Sequence, residues 1–236
     1  MSEPFSKQLL AEAFGTFLLV FLGPTTVTAV SMLGGRGPAG IIAIAFAHGM
    51  ALWAAIVTTS HVSGAHINPA VTIASWATRR FPSSKVLQYI IVQLLAAALA
   101  GFLQLLIFGE DVGKISNLGT TLPNPRLLNP DLSALGAEIV GTAILVFTIF
   151  GATSKGAPQG WAAATIGLIL SGIILALGVV SGASLNPART FGPSLASLTF
   201  NASIFNTFWI YAVGPIMGGL IGGFLYDTLK AKSEDQ

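Results

Sequence analysis

Apolar residues along this chain come in long, nearly uncharged runs. Six of them are about as long as a membrane is thick: Leu9–Ala29, Ala39–Thr58, Val86–Phe108, Ala134–Ala152, Trp161–Val180 and Phe205–Leu225. A span needs about 20 mostly apolar residues. In lipid every backbone N–H and C=O must be bonded internally, so spans are helices or strands of a closed barrel. Barrel strands would alternate polar and apolar residues in segments of roughly ten, whereas these runs are continuously apolar. The pattern therefore predicts an all-α membrane protein with six transmembrane helices. Two further segments, Pro69–Thr78 and Pro187–Leu198, are too short to cross. Ten helical residues rise ~15 Å against a hydrocarbon core of ~30 Å, so two such pieces end to end would just cross it.

The pattern also repeats. "SGAHINPAVT" (Ser63–Thr72) and "SGASLNPART" (Ser181–Thr190) share seven of ten positions at an offset of 118. "AEAFGTFLLVF" from Ala11 matches "AEIVGTAILVF" from Ala137 at an offset of 126, and "YIIVQLLAA" from Tyr89 matches "YAVGPIMGG" from Tyr211 at 122. Matches in one order at similar offsets predict two copies of a unit of three spans and one short segment, about residues 8–108 and 134–229. An odd number of spans inverts the second copy. Inverted repeats place function at their interface near the bilayer midplane, where the two short segments would enter from opposite faces and meet.

Composition agrees with this. Of 236 residues, 53% are hydrophobic and 8% charged, with mean hydropathy +0.78; soluble domains carry roughly 25% charged residues. No linker divides the chain, so one domain over residues 1–236 is expected. The formal net charge is +2, and only Arg79 and Arg80 are adjacent basic residues, which leaves nucleic acid no electrostatic footprint. The absence of cysteine excludes disulfides and thiol chemistry. Glu12 interrupts the first apolar run, so the N-terminus reads as a retained span rather than a cleaved signal. Lys7, Arg79, Arg80, Lys85, Lys155, Lys230 and Lys232 fall on the side of the termini, against Arg36, Lys114 and Arg126 opposite. This asymmetry places both termini in the cytoplasm, with the cell membrane as the expected location.

The short segments carry the chemistry. Asparagine is a preferred N-cap and proline a preferred first helical residue, so Asn68-Pro69-Ala70 and Asn186-Pro187-Ala188 each start a half-helix. The side-chain oxygen caps its own helix, which leaves the NH₂ to donate outward. Each helix start carries about half a positive charge; two facing starts repel cations and hydronium, while water can accept from both asparagines. The backbone before each cap is not helical and must line a polar cavity or be buried. Gly64, Ala65 and His66, with Gly182, Ala183 and Ser184, would then supply a rail of carbonyl acceptors. Ordinary turn chemistry would explain one Asn-Pro, but not a pair in an inverted repeat.

Paired "NPA" boxes, the preceding "SGA", Arg189 in "NPARTFGP" and "AE…GT" opening both halves resemble the aquaporin (major intrinsic protein) family, over about Ala11 to Gly223. The resemblance implies six tilted helices, two half-helices, and homotetramers with one pore per subunit in the lipid bilayer. It also implies a four-residue selectivity filter, carried over by spacing to the boxes as His48, Ile174, Ala183 and Arg189. This set is most similar to that of plant tonoplast intrinsic proteins. Thr190 and Ser194 sit where glycerol facilitators usually carry an acidic and a basic residue, and Ala212 where water channels usually carry tryptophan. Short termini and loops suit a microbial member.

Residue by residue, an arginine within a membrane segment costs about 2.5–3.5 kcal/mol even on insertion scales. Arg189 therefore reads as a pore residue rather than one snorkelling to a headgroup. Glu12 and Glu138, at matching repeat positions, read as buried acceptors for loop N–H groups in preference to a proton relay. His48 replaces an aromatic filter wall and would donate or accept toward the permeant. His61 and His66 read as loop-packing residues. Ala97 with Gly101, and Gly218, Gly219, Gly222 and Gly223, allow close helix crossing. The leading function is a passive channel for water, with ammonia, urea, glycerol or hydrogen peroxide as further permeants. A secondary transporter would need an ion-coupling site, for which only the paired glutamates are available, and a structural or adhesive membrane protein would have closed pores. No nucleophile–base pair or metal-ligand cluster appears, so no enzyme, cofactor or metal site is expected.

Overall fold

The structure is a computed structural model describing residues 3–35 and 37–230. Arg36 and Lys232, both used above for orientation, lie outside the described residues. Among the described residues eight α-helices follow in order: α1 Phe5–Met32, α2 Pro38–Ser63, α3 Pro69–Ala77, α4 Ser83–Ser116, α5 Pro130–Ala152, α6 Ala162–Ser181, α7 Pro187–Ser197 and α8 Phe208–Leu229. Six are long and apolar enough to cross a membrane; α3 and α7 are the half-length ones. α4 runs eight residues past its expected end at Phe108. It kinks at Gly109, whose φ of 76° leaves the helical region, and continues through the charged turn Glu110–Lys114, beyond the apolar signal. A 3-10 turn at Asn117–Gly119 follows.

Helix contacts follow the repeat. α1 packs on α2 and α4 in the first half, and α5 packs on α6 and α8 in the second. α2 and α6 join the halves, crossing where Gly49 meets Gly167: a methyl on either would overlap the carbonyl of the other. Each half-helix leans on the opposite copy, α3 on α8 and α7 on α4. A methyl on Gly101 of α4 would overlap the Gly192 carbonyl of α7, and one on Gly218 or Gly222 of α8 would overlap the carbonyl of Ile139 or Ala143 of α5. Small residues let backbones approach where no hydrophobic force separates protein from lipid. Outward, Leu95, Leu99, Phe102 and Leu106 of α4 form an exposed apolar stripe suited to acyl chains.

At the face of the termini, Arg80 ties α3 to α8. Its guanidinium makes two bonds to Asp227, of 2.6 and 3.2 Å, and stacks 4.3 Å from the Phe150 ring centre.

The candidate pore and its constriction

Both re-entrant loops are built on one plan. α2 ends at Gly64 and α6 at Gly182, each left-handed at φ 88° and 84°. The chain then alternates through further positive φ values at Ala65 and Ile67, and at Ala183 and Leu185. Such a backbone is costly for residues with a β-carbon, most of all for β-branched Ile67. Buried carboxylates hold it in place. Glu12 accepts from the N–H of His66 (2.8 Å) and Ile67 (2.7 Å), from the Ser63 hydroxyl (2.8 Å) and from Gln93 (2.9 Å). Glu138 accepts from Ser184 N–H (2.9 Å), Leu185 N–H (2.7 Å) and the Ser181 hydroxyl (2.7 Å). Tyr89 and Tyr211 add a hydroxyl bond to the Ser63 and Ser181 carbonyls.

At the end of each loop the asparagine caps its half-helix. Asn68 Oδ1 accepts from Ala70 N–H at 2.8 Å and Asn186 Oδ1 from Ala188 N–H at 3.0 Å. Their amide groups cross between the halves: Asn68 donates to the Leu185 carbonyl at 2.8 Å and Asn186 to the Ile67 carbonyl at 3.0 Å. One hydrogen of each NH₂ is thus used inside the protein, where the sequence suggested both faced outward. The second hydrogen remains for a permeant, and both asparagines line the cavity.

That cavity, about 330 Å³, enters from the face of the termini at Thr153 and Gly160. It passes Ile56, Ile166, Val71 and the two asparagines, and ends at His48 and Arg189. Gly64, Ala65, His66 and Ser184 border it. Gly182 and Ala183 lie past its end, where Gly182 packs against Thr121. Ile174 and Ala183 are buried in one apolar cluster beside the constriction and outside the cavity wall. His66 is clamped edge-on between Phe81 and Tyr89, its Nδ1 3.1 Å from the Thr72 hydroxyl. His61 is exposed.

Arg189 is buried, at 3% exposure. Its Nη1 donates to the Gly119 carbonyl at 2.7 Å and its Nη2 lies 3.1 Å from His48 Nε2. Nε has no partner among the described residues. His48 Nδ1 lies 2.8 Å from the Ile44 carbonyl. A carbonyl only accepts and a guanidinium only donates, so Nδ1 carries the proton and Nε2 is the acceptor. Both ring nitrogens are therefore engaged within the protein, and the donors left for a permeant belong to Arg189. The expectation that His48 itself bonds the permeant gives way to a ring that orients the arginine.

The segment after α4 had no sequence signal, yet it shapes this end. Besides the Gly119 carbonyl it supplies Thr121, whose hydroxyl is 2.6 Å from that of Thr190, itself 2.6 Å from Ser184 Oγ. Ser184 donates to the Asn186 carbonyl at 2.8 Å, so the hydroxyls form a directional chain behind Arg189. Asn124 pins the segment to the end of α6 through the Val179 and Val180 carbonyls. A loop of mixed polar and apolar residues without periodicity carries no local sign of these contacts.

Six spans, two half-helices meeting head to head, and a cavity leading to a buried arginine define a membrane channel. The family described as "Major intrinsic protein" matches residues 1–226. The chain is 41% identical to Aquaporin AqpM of Methanothermobacter marburgensis, over 96% of this chain and 98% of that one. It is 36% identical to Nodulin-26 of Glycine max, over 98% of this chain and 80% of that one. It is 35% identical to Aquaporin Z of Photorhabdus laumondii, over 97% and 99%. Its fold is similar to that of the aquaglyceroporin from Plasmodium falciparum, with TM-score 0.89 and 25% identity over 98% of this chain and 99% of that one. The chain belongs to the major intrinsic protein family: it is a passive multi-pass membrane channel for water and small solutes, and not an enzyme.

Proposed function

We propose that the pore passes water first and admits ammonia, urea, glycerol or hydrogen peroxide as small neutral companions, while excluding ions and protons. One observation carries this reading: the crossed bonds of Asn68 and Asn186 leave one amide hydrogen each beside the cavity, at the facing ends of two half-helices. A water accepting there, in a field positive from both sides, is poorly placed to relay a proton. We take His48, Ile174, Ala183 and Arg189 as the selectivity filter, with His48 and Arg189 at the end of the cavity, Ile174 and Ala183 packed beside them, and Arg189 as the charged donor. Without a large aromatic among the four, the filter discriminates less strictly than a water-only one. Residues 1–236 act as a single channel domain of two repeats, about 8–108 and 134–229. It works as a homotetramer in the cell membrane, with both termini cytoplasmic.

Stopped-flow light scattering on proteoliposomes tests this across water, ammonia, urea and glycerol. Fast water flux with a shallow temperature dependence is expected, together with no proton leak. Flux no faster than in empty liposomes would sink the channel reading. Saturable uptake that follows an ion gradient would favour a transporter instead, against which stands the full occupation of Glu12 and Glu138 by loop donors.

A further inference from the structure

α1 carries Gly23 directly before Pro24, and both are buried. Gly23 faces the His48 ring. A β-carbon there would overlap Cδ2 and lie 2.5 Å from Nε2 and 2.9 Å from Cγ, closer than packed atoms tolerate. With Nδ1 held by Ile44 on its own helix and Nε2 beside Arg189, a ring pushed from α1 turns toward the cavity that it borders. Pro24 supports the other partner of Arg189. Gly119 sits at φ +73°, and its absent β-carbon faces Pro24, 2.5 Å from the carbonyl oxygen and 2.8 Å from Cα. The two groups that hold the guanidinium, the His48 ring and the Gly119 carbonyl, thus rest on one two-residue step of α1. The seat exists in one half only. By the repeat offsets (149 − 23 = 126, 166 − 48 = 118), the counterparts of Gly23 and His48 are Ile149 and Ile166, both of which line the cavity.

We propose that Gly23 is a specificity-determining position: the gap it leaves seats His48 against α1, out of the lumen and in line with Arg189, and so sets the width of the constriction. This rests on the filter reading of His48 and Arg189. It makes Gly23 a positioning residue, acting through His48 without touching a permeant. A single added methyl in α1 becomes a full imidazole displaced into the pore.

The test compares water and urea permeability, with thermal unfolding, for the parent, Gly23→Ala, His48→Ala and the double variant in proteoliposomes. Gly23→Ala is expected to lower water permeability about tenfold, the scale on which one methyl group in a tight site discriminates. In the His48→Ala background the same change is expected to do nothing, so the double variant conducts and unfolds like His48→Ala alone. Parental water flux in Gly23→Ala would overturn the inference. So would a double variant as slow as Gly23→Ala, because the defect would then lie in helix packing. If Gly23→Ala does not fold, recovery of folding in the double variant supports the overlap, and failure of both overturns it. His48→Ala passing urea no faster than the parent would count against the filter reading instead, and the effect of Gly23→Ala on water would still be read separately.

Discussion

The two halves of the molecule bend their re-entrant loops alike but furnish the pore differently. Glu12 and Glu138 make the same bonds to loop N–H groups and a serine, and Tyr89 and Tyr211 make the same bond to the last residue of a span. At the pore wall the copies part. Offset by 118, Arg189 corresponds to Val71, His48 to Ile166 and Ile174 to Ile56. The cavity is therefore walled mainly by apolar residues toward the termini and bordered by the histidine–arginine pair at its other end. The shared set is what any half needs to fold a loop with three left-handed residues inside a membrane. The unshared set is needed once, since a single charged constriction can set selectivity for the whole passage. Support is likewise one-sided. Glu12 has a fourth donor in Gln93, where α8 carries Pro215 at the offset of 122, and only Arg189 has a loop carbonyl waiting for it.

The shared set should break hardest. Glu12→Ala or Glu138→Ala strands two loop N–H groups and a serine hydroxyl. At 1–3 kcal/mol for each of these three buried unpaired groups, about 3–9 kcal/mol of stability is expected to go. Thermal unfolding in detergent reads this directly, and a variant that melts with the parent would show that the carboxylate is dispensable. Val71→Arg copies the second half's charge into the first without its carbonyl and histidine partners. A cost of about 2.5–3.5 kcal/mol is expected, with water flux near the level of empty liposomes.

Arg189→Val is the reverse exchange, making both ends apolar. It is expected to retain water flux and raise glycerol flux about tenfold, measured by swelling in a glycerol gradient. Gln93→Met makes the first half resemble the second at the glutamate. Loss of the bonds to Glu12 and to the Thr72 hydroxyl predicts about 2–3 kcal/mol with permeability unchanged, so a change in flux would mean that Gln93 does more than hold these two groups. Arg80→Lys is the smallest. It exchanges a two-bond, ring-stacked guanidinium at a face open to solvent for a single ammonium, and about 1 kcal/mol is expected from the melting curve.

Much of this was written in the chain. Spans were legible because lipid leaves a polar backbone few solutions, and the half-helices because Asn-Pro fixes a helix start at its first residue. Arg189 declared itself as a charge among apolar residues. Other features depend on contacts without a local signature. The overrun of α4 past Phe108 lies in a polar turn that looks like a loop. Gly119 and Thr121 matter only because the chain doubles back over the pore. Gly23 reads no differently in sequence from Gly15 eight residues earlier; what distinguishes it is the ring that stands opposite, 25 residues on. The use of one amide hydrogen of each asparagine across the midplane could not be foreseen from either box alone.

The crossed asparagine bonds also bear on how the chain assembles. Asn68 and its acceptor at Leu185 are 117 residues apart, and Asn186 and Ile67 are 119 apart. Contacts so distant along the chain form late. Until the last helices have entered the bilayer, the first asparagine faces an unfinished partner and the Ile67 carbonyl has no donor. Neither half can complete its own half-helix junction, so the middle of the pore is made only once both halves are in the bilayer. The conduit comes into being in the same step that finishes the fold.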